Sequence, residues 1–461
     1  MVQDSRPPSF RVIIAHVVAA IVIAMLVLAQ PVLLRKFERP VADATRYIDS
    51  ALELRDHGLF SGSRETGTTK RFGLVTGGPL IAFELAAIFA LDSALEASMR
   101  CSIQPEQSSC PLKLRSLYAA HWLELVLFCT CAWIAAWMIF RRLDAAWLTL
   151  LLVVFCRELR EGTEQALSEP LAFAIGGIFF LGWIHAVRSG RWQAWLVAGL
   201  LLGLLILAKP SATAIIPAAI IAMLLMLFVG RNNSGVGLNA TAANALMFVA
   251  GTAAATLPLV LRNFIELGVL ALSSSAYLSA TFAHRIAYNA MSWTEWLAGW
   301  LYYLPDFGDL LARKWLPVAA YDRLGWDPQG YYVFGRDILY PQAVTAAGNQ
   351  ASDYMFKQYV LADPIKHAVV TMLMAWRGMF VGKLWGLAAW LVLPAALVIA
   401  GPRRLMLVWM LVPGLVLLVG LAAVSVSIPR YNGLLVLPLA LGVTALVITL
   451  WDSWRRRNAA G

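Results

Sequence analysis

Charge is what this chain has least of. Only 14% of its 461 residues are Asp, Glu, Lys or Arg, where a soluble domain carries nearer a quarter. That excludes a water-soluble globular protein. It also removes the nucleic-acid partner that a net charge of +10 would otherwise suggest. Histidine is scarce too: the six residues are scattered, and none forms, with carboxylates, a cluster of metal-ligand spacing. Neither a metal nor another cofactor is expected. No internal repeat of the kind that marks many transporters is present. A cleavable leader is not expected, because the first apolar run, about 12–34, exceeds a signal core and no small-residue cleavage site follows it.

Cysteine is sparse, and its placement is informative. Cys129, Cys131 and Cys156 lie in apolar stretches and read as packing residues. Cys101 and Cys110 flank a polar stretch assigned to the outside. An oxidising compartment favours a local disulfide between them, against two free thiols in a flexible loop.

What fills the chain is apolar: 60% of residues are hydrophobic. About ten spans can be drawn, at roughly 12–34, 117–140, 144–157, 169–187, 193–208, 211–230, 240–261, 384–400, 404–424 and 431–451. With that assignment Arg141, Arg142, Arg188, Arg191, Arg231, Arg403, Arg404 and Arg455 to Arg457 share one side, which marks it as cytoplasmic. Arg35, Lys36 and Arg39 run against this bias, and an anionic lipid headgroup would account for them.

The expected fold is all-α and polytopic, a bundle of about 10–12 transmembrane helices with interfacial helices in its external loops. Residues 1–261 form an N-terminal transmembrane module whose first external loop covers 35–116. Residues 262–383 form a long external or interfacial region, and 384–461 the last spans and a cytoplasmic tail. Within the first loop, Ala44, Tyr47, Ile48, Ala51, Leu52 and Leu54 recur at helical spacing among charges, which predicts a helix on the membrane surface stopping at Gly58. The stretch 77–90 is short, carries Glu84 and reads as interfacial or re-entrant. Trp293, Tyr302, Trp326 and Tyr331 in the long region fit an acceptor groove or an interfacial aromatic belt.

Ionisable groups gather at the outer boundary. Asp43 follows the first span, where a partly desolvated carboxylate is well placed to take a proton; the structural alternative is a cap or an ion pair with Arg46. Ser168-Glu169-Pro170 opens the fourth span, Lys209-Pro210 makes a turn, Arg262-Asn263 ends the seventh span, Pro429-Arg430-Tyr431 makes the last external turn, and Lys70-Arg71 lies in the first loop. Each alone also fits a side chain snorkelling to the interface, and Glu169 fits a helix start favoured by the dipole. Together, Lys209, Arg262 and Arg430 come from distant parts of the chain to one face, as a shared phosphate site would require.

The order of these pieces resembles the C-type membrane glycosyltransferases, which include the protein O-mannosyltransferases and the lipid A aminoarabinose transferase. A first span is followed by an Asp-led amphipathic segment (Asp43, Tyr47, Ala51, Gly58), then Gly78-Pro79-Leu80, Ser168-Glu169-Pro170, Lys209, Arg262-Asn263 and Pro429-Arg430-Tyr431. The likeness runs over nearly the whole chain. It departs where mannosyltransferases commonly carry an acidic pair: here Asp43 is followed by Ala44. The resemblance implies an enzyme of a bacterial inner membrane that moves a sugar from a polyprenyl-phosphate carrier to an acceptor hydroxyl on the external face. The acceptor would be a glycan, a lipid or a protein. Asp43 would be the base of an inverting displacement. Lys209, Arg262 and Arg430, with Tyr431 and more weakly Lys70 or Arg71, would hold the donor phosphate, and Glu169 would orient sugar or acceptor. Two other classes compete. A transporter or flippase would place ionisable groups near the bilayer midplane and break its helices in two related halves. A non-catalytic polysaccharide assembly factor would not need Asp43 as a base.

Overall fold

A computed structural model describes residues 10–34, 43–58, 60, 78–103, 110, 113–161, 167–218, 220–221, 238–272 and 275–460. Every regular element among them is helical. The elements that position the site are α1 (Phe10–Leu34), α2 (Asp43–His57), α3 (Pro79–Leu91), α4 (Ser93–Ser102), α5 (Arg115–Phe140), α6 (Leu143–Val154), α7 (Arg157–Glu161), α8 (Glu169–Ser189) and α9 (Trp192–Ala208). They continue with α10 (Leu238–Leu267), α11 (Ser275–Ala287), α12 (Trp293–Tyr302), α13 (Pro364–Met379), α14 (Leu384–Ile399), α15 (Arg404–Val424) and α16 (Val436–Ala460).

Among the described residues, six helices are long and apolar enough to cross a membrane, or seven if α13 and α14, bent by 112° at their junction, count as one. Four of the ten expected spans take other forms, one of them the 17-residue α9, apolar but about 25 Å long. The 12-residue α6 is about 18 Å long, too short to cross alone. The stretch 211–230 begins as a 3₁₀ turn, Pro210–Ile215, and mostly lies outside the described residues. The stretch 384–400 is one arm of the bent pair, whose junction holds Gly382 and Lys383 at φ of +73° and +59°. Lys383 Nζ is pinned there, 3.2 Å from Asp306.

Side-chain period decides the packing. In α2 the buried residues are Ala44, Ile48, Ala51 and Leu52, one stripe of a helix. The stripe joins Ile81, Leu85 and Phe89 of α3 and Leu95 and Met99 of α4 in a small core. Arg100 of α4 donates to both oxygens of Asp56 at the far end of α2, at 2.5 and 2.7 Å. These bonds hold the Asp56 carboxyl below its usual range. Cys101 and Cys110 are disulfide-bonded, with Cα atoms 5.8 Å apart.

The main bundle is ordered by close approaches. Phe128 of α5 meets Phe173 of α8, and Gly177 abuts Cys131, so α5 and α8 run parallel. Trp183 of α8 packs edge-on against Trp195 of α9, and these two run antiparallel. Helices α9 and α10 come closer still. A Cβ on Gly199 would overlap the Phe248 carbonyl oxygen, and one on Gly251 would overlap that of Leu196, a small-residue interface of the kind that lets membrane helices touch along their backbones. Gly199→Val is expected to separate the pair. Overpacking costs about 1–3 kcal/mol, and a clash with backbone belongs at the upper end. A melting curve unmoved by the substitution would count against this contact.

These directions give the bundle two distinct ends. At one, Arg142 pairs with Asp452 of α16 at 2.5 Å and Arg403 lies over the Phe140 ring, so the arginine-rich turns and the tail collect there. At the other lie the start of α8, the ends of α9 and α10, and the turn before α16.

Candidate active site

Glu169 is the first residue of α8, followed by Pro170, which tolerates the first turn because its missing N–H is not needed there. Its side chain is 5% exposed. Lys209 donates to Oε1 at 3.1 Å. The lysine is placed by its neighbour: Pro210 pushes the preceding residue out of the helical region, so α9 stops and Lys209 is extended at φ −142°, ψ 97°. Its ammonium turns back over the helix start of α8.

Arg430 reaches the same oxygen from a third element, the 3₁₀ turn Pro429–Leu435. Its Nε lies 3.1 Å from Glu169 Oε1 but without hydrogen-bond geometry, so this contact is one of charge. The turn is held by Asn432, fully buried, whose Nδ2 donates to Ser427 Oγ, the Ile428 carbonyl and the Gly378 carbonyl at 2.9, 3.1 and 3.2 Å. From there Arg430 Nη2 lies 3.8 Å from Asp43 Oδ2, while Arg46 donates to Asp43 Oδ1 at 3.5 Å. Tyr47 of α2 and Ser168 also meet, hydroxyl to hydroxyl, at 3.5 Å. The Tyr431 ring lies 5.3 Å from Lys209 Nζ and 5.4 Å from the Arg430 guanidinium, both within cation–π range.

The result is one chain of alternating charge, Asp43, Arg430, Glu169, Lys209, drawn from four separate elements. It borders a small cleft whose charged rim is Glu169, Lys209 and Arg430 and whose remaining lining is mostly apolar, including Phe173, Leu205, Leu417 and Leu434. A lipid bearing a phosphate has this same division between head and tail.

The structure thus brings together Asp43, Glu169, Lys209, Arg430 and Tyr431. Arg262 does not line the cleft. It stands at the same end of the bundle but donates to the Phe60 carbonyl at 2.9 Å and to Asn263 Oδ1 at 2.8 Å, tying the end of α10 to the segment after α2. Lys70 and Arg71 lie outside the described residues.

Two features are invisible in the linear sequence. The first is why Gly78 precedes Pro79: a Cβ on Gly78 would overlap the Ala208 carbonyl oxygen and fall 2.6 Å from that of Leu207. The start of α3 therefore rests on the end of α9, directly before Lys209. Gly78→Ala is expected to shift the Lys209 turn and weaken phosphate binding while helix content is kept. Calorimetry with inorganic phosphate, with circular dichroism alongside, checks this.

The second is a polar cluster inside the bundle. Glu84 of α3 joins His121 and Glu124 of α5, with one ligand atom of each lying within 4.8 Å of the others. The three offer an imidazole and two carboxylates to one point, a donor set a metal ion can use. The reading of metal-ligand spacing overlooked it because Glu84 is far away in sequence. The available signal was the i, i+3 pair His121 and Glu124, which a helix places on one face. Since Glu124 lies inside a candidate span, an ionisable group also stands away from the boundary.

No protein-family model matches the chain, and no curated protein sequence matches it. Among solved structures the chain is similar to the crystal structure of ArnT from Cupriavidus metallidurans bound to undecaprenyl phosphate, at 14% identity, over 93% of this chain and 77% of that one, with a TM-score of 0.36. A superposition that loose carries no argument about chemistry, which has to come from the side chains.

Proposed function

We propose that the protein is a membrane glycosyltransferase that moves a sugar from a polyprenyl-phosphate carrier to an acceptor hydroxyl. The observation that carries this is the distance between two kinds of group. A half-exposed carboxylate, Asp43, lies one arginine away from a cationic cleft with an apolar wall.

In this mechanism the carrier phosphate lies in the cleft against Lys209 and Arg430, its lipid along the apolar wall. Asp43 takes the proton from the acceptor oxygen as that oxygen attacks the anomeric carbon from the side opposite the phosphate. The bond from the anomeric carbon to the phosphate oxygen breaks, its electrons stay with the phosphate, and configuration inverts. The leaving anion needs no strong acid; the two cations stabilise the charge that develops on it. Glu169 touches neither partner and holds Lys209 and Arg430 in register. The arginine-rich opposite end supports an orientation with the cleft on the external face.

The test is binding and turnover of a panel of polyprenyl-phosphate sugars by the purified full chain, beside Lys209→Met. The expected result is carrier binding with transfer or slow hydrolysis. The methionine variant should bind about tenfold or more weakly, the usual worth of a hydrogen bond to a charged group. A folded preparation that binds no carrier sinks the proposal. Transport of the carrier without sugar transfer would point instead to the transporter reading, which the Glu84, His121 and Glu124 cluster favours.

A further inference from the structure

Arg377 of α13 is 8% exposed and has no carboxylate partner among the described residues. Burying a guanidinium without an opposing charge is costly, so something else must stabilise it. Aromatic rings do part of this: its Cζ lies 4.8 Å from the ring centroids of Tyr303 and Trp326 and 5.9 Å from that of Tyr288. Nη1 also donates to the Tyr288 hydroxyl at 2.9 Å. Rings attract the cation but use none of its in-plane hydrogen-bonding capacity, and a guanidinium has five N–H donors. Among the described residues Nε and Nη2 donate no hydrogen bond, the one from this side chain being that of Nη1, which leaves in-plane donors for a ligand. A guanidinium so placed is suited to a carboxylate or a phosphate.

Two sets of contacts tie this cage to the catalytic groups. The next residue, Gly378, packs directly on the turn that carries Arg430: a Cβ there would overlap Ser427 Oγ and lie 2.6 Å from Asn432 Nδ2. On the other side, Trp326 meets Tyr332 with ring centroids 4.5 Å apart. The Tyr332 phenol is raised above its ordinary range, by burial first and then by the negative charge of Asp43. Trp326 itself is 53% exposed and presents an open aromatic surface, the usual partner of a sugar face.

We infer that the Arg377 cage is a subsite for an anionic carbohydrate, whose ring stacks on Trp326 and whose carboxylate or phosphate is held by Arg377. Its role as the acceptor subsite rests on the proposed function; with it, the acceptor is an acidic or phosphorylated glycan or glycolipid.

Saturation-transfer NMR on the detergent-solubilised full chain tests this, with glucose, glucuronate and glucose 6-phosphate as probes. Glucuronate and glucose 6-phosphate should receive magnetisation, and glucose should not. Trp326→Ala removes an exposed side chain without opening the core, and should weaken the anionic probes about fivefold. Arg377→Lys, which keeps the charge but not the planar fork, should weaken them as well. Lys209→Met weakens the donor cleft, and the probe signal that remains in that variant should still fall when Trp326→Ala is added. Equal signals from glucose and glucuronate would overturn the anionic reading. Signals lost in Lys209→Met but kept in Trp326→Ala would place the probes in the donor cleft and overturn the cage. Probe binding through the cage in a protein that binds no polyprenyl-phosphate carrier would leave the subsite standing and remove the glycosyltransferase proposal instead.

Discussion

Asp43→Asn is expected to lower sugar transfer by about 10²–10⁴-fold, the usual worth of a positioned base, while carrier binding is kept. The substitution is chosen to separate chemistry from structure. Asn serves a helix start as well as Asp does, so a role limited to opening α2 survives it. The ion pairs lost are weak: Asp43 is 34% exposed, and its partners Arg46 and Arg430 are 54% and 39% exposed. Such pairs contribute at most about 1 kcal/mol, so the variant should fold. Initial rates beside a melting curve decide the matter. A stable, carrier-binding variant that still transfers at the wild-type rate would remove Asp43 from the chemistry.

Glu169→Gln should act in the opposite way, on stability more than on chemistry. The change keeps the shape and deletes the one carboxylate that faces both Lys209 and Arg430. Breaking a fully buried pair costs about 3–5 kcal/mol, and because these cations are partly solvated the loss here should be about 2 kcal/mol. Phosphate binding carries the sharper sign. Glu169 competes with any anion for the same two cations, so neutralising it should tighten carrier phosphate binding. Adding undecaprenyl phosphate should therefore raise the melting temperature more in Glu169→Gln than in wild type. Weaker carrier binding with unchanged stability would mean that Glu169 contacts the sugar directly.

Local elements were legible because local rules govern them. The apolar stripe of α2 follows from helical period, and Ala44, Ile48, Ala51 and Leu52 are the residues that stripe buries. The break at Lys209 follows from Pro210, and the start of α8 lies at Glu169-Pro170. The arginine-rich segments announce one end of the bundle through their composition. Arg262 shows where this reasoning stops. Its place at a helix end was readable, but its partner, the carbonyl of Phe60, comes from a segment about 200 residues away, and no pattern near Arg262 encodes it.

By itself, then, the sequence determined a membrane-embedded helical protein, several of the places where its helices start and stop, and the small set of charged residues at their ends. Those follow from the cost of burying charge and from the φ/ψ limits of proline and glycine, which act over a few residues. Only the tertiary structure decided that Asp43, Glu169, Lys209 and Arg430 form one chain of contacts, that Glu84 meets His121 and Glu124, and that three aromatic rings enclose Arg377. Each of these meetings depends on how closely two helices approach, as Gly78 does on the end of α9 and Gly378 on the Arg430 turn. That distance is set by packing between distant segments.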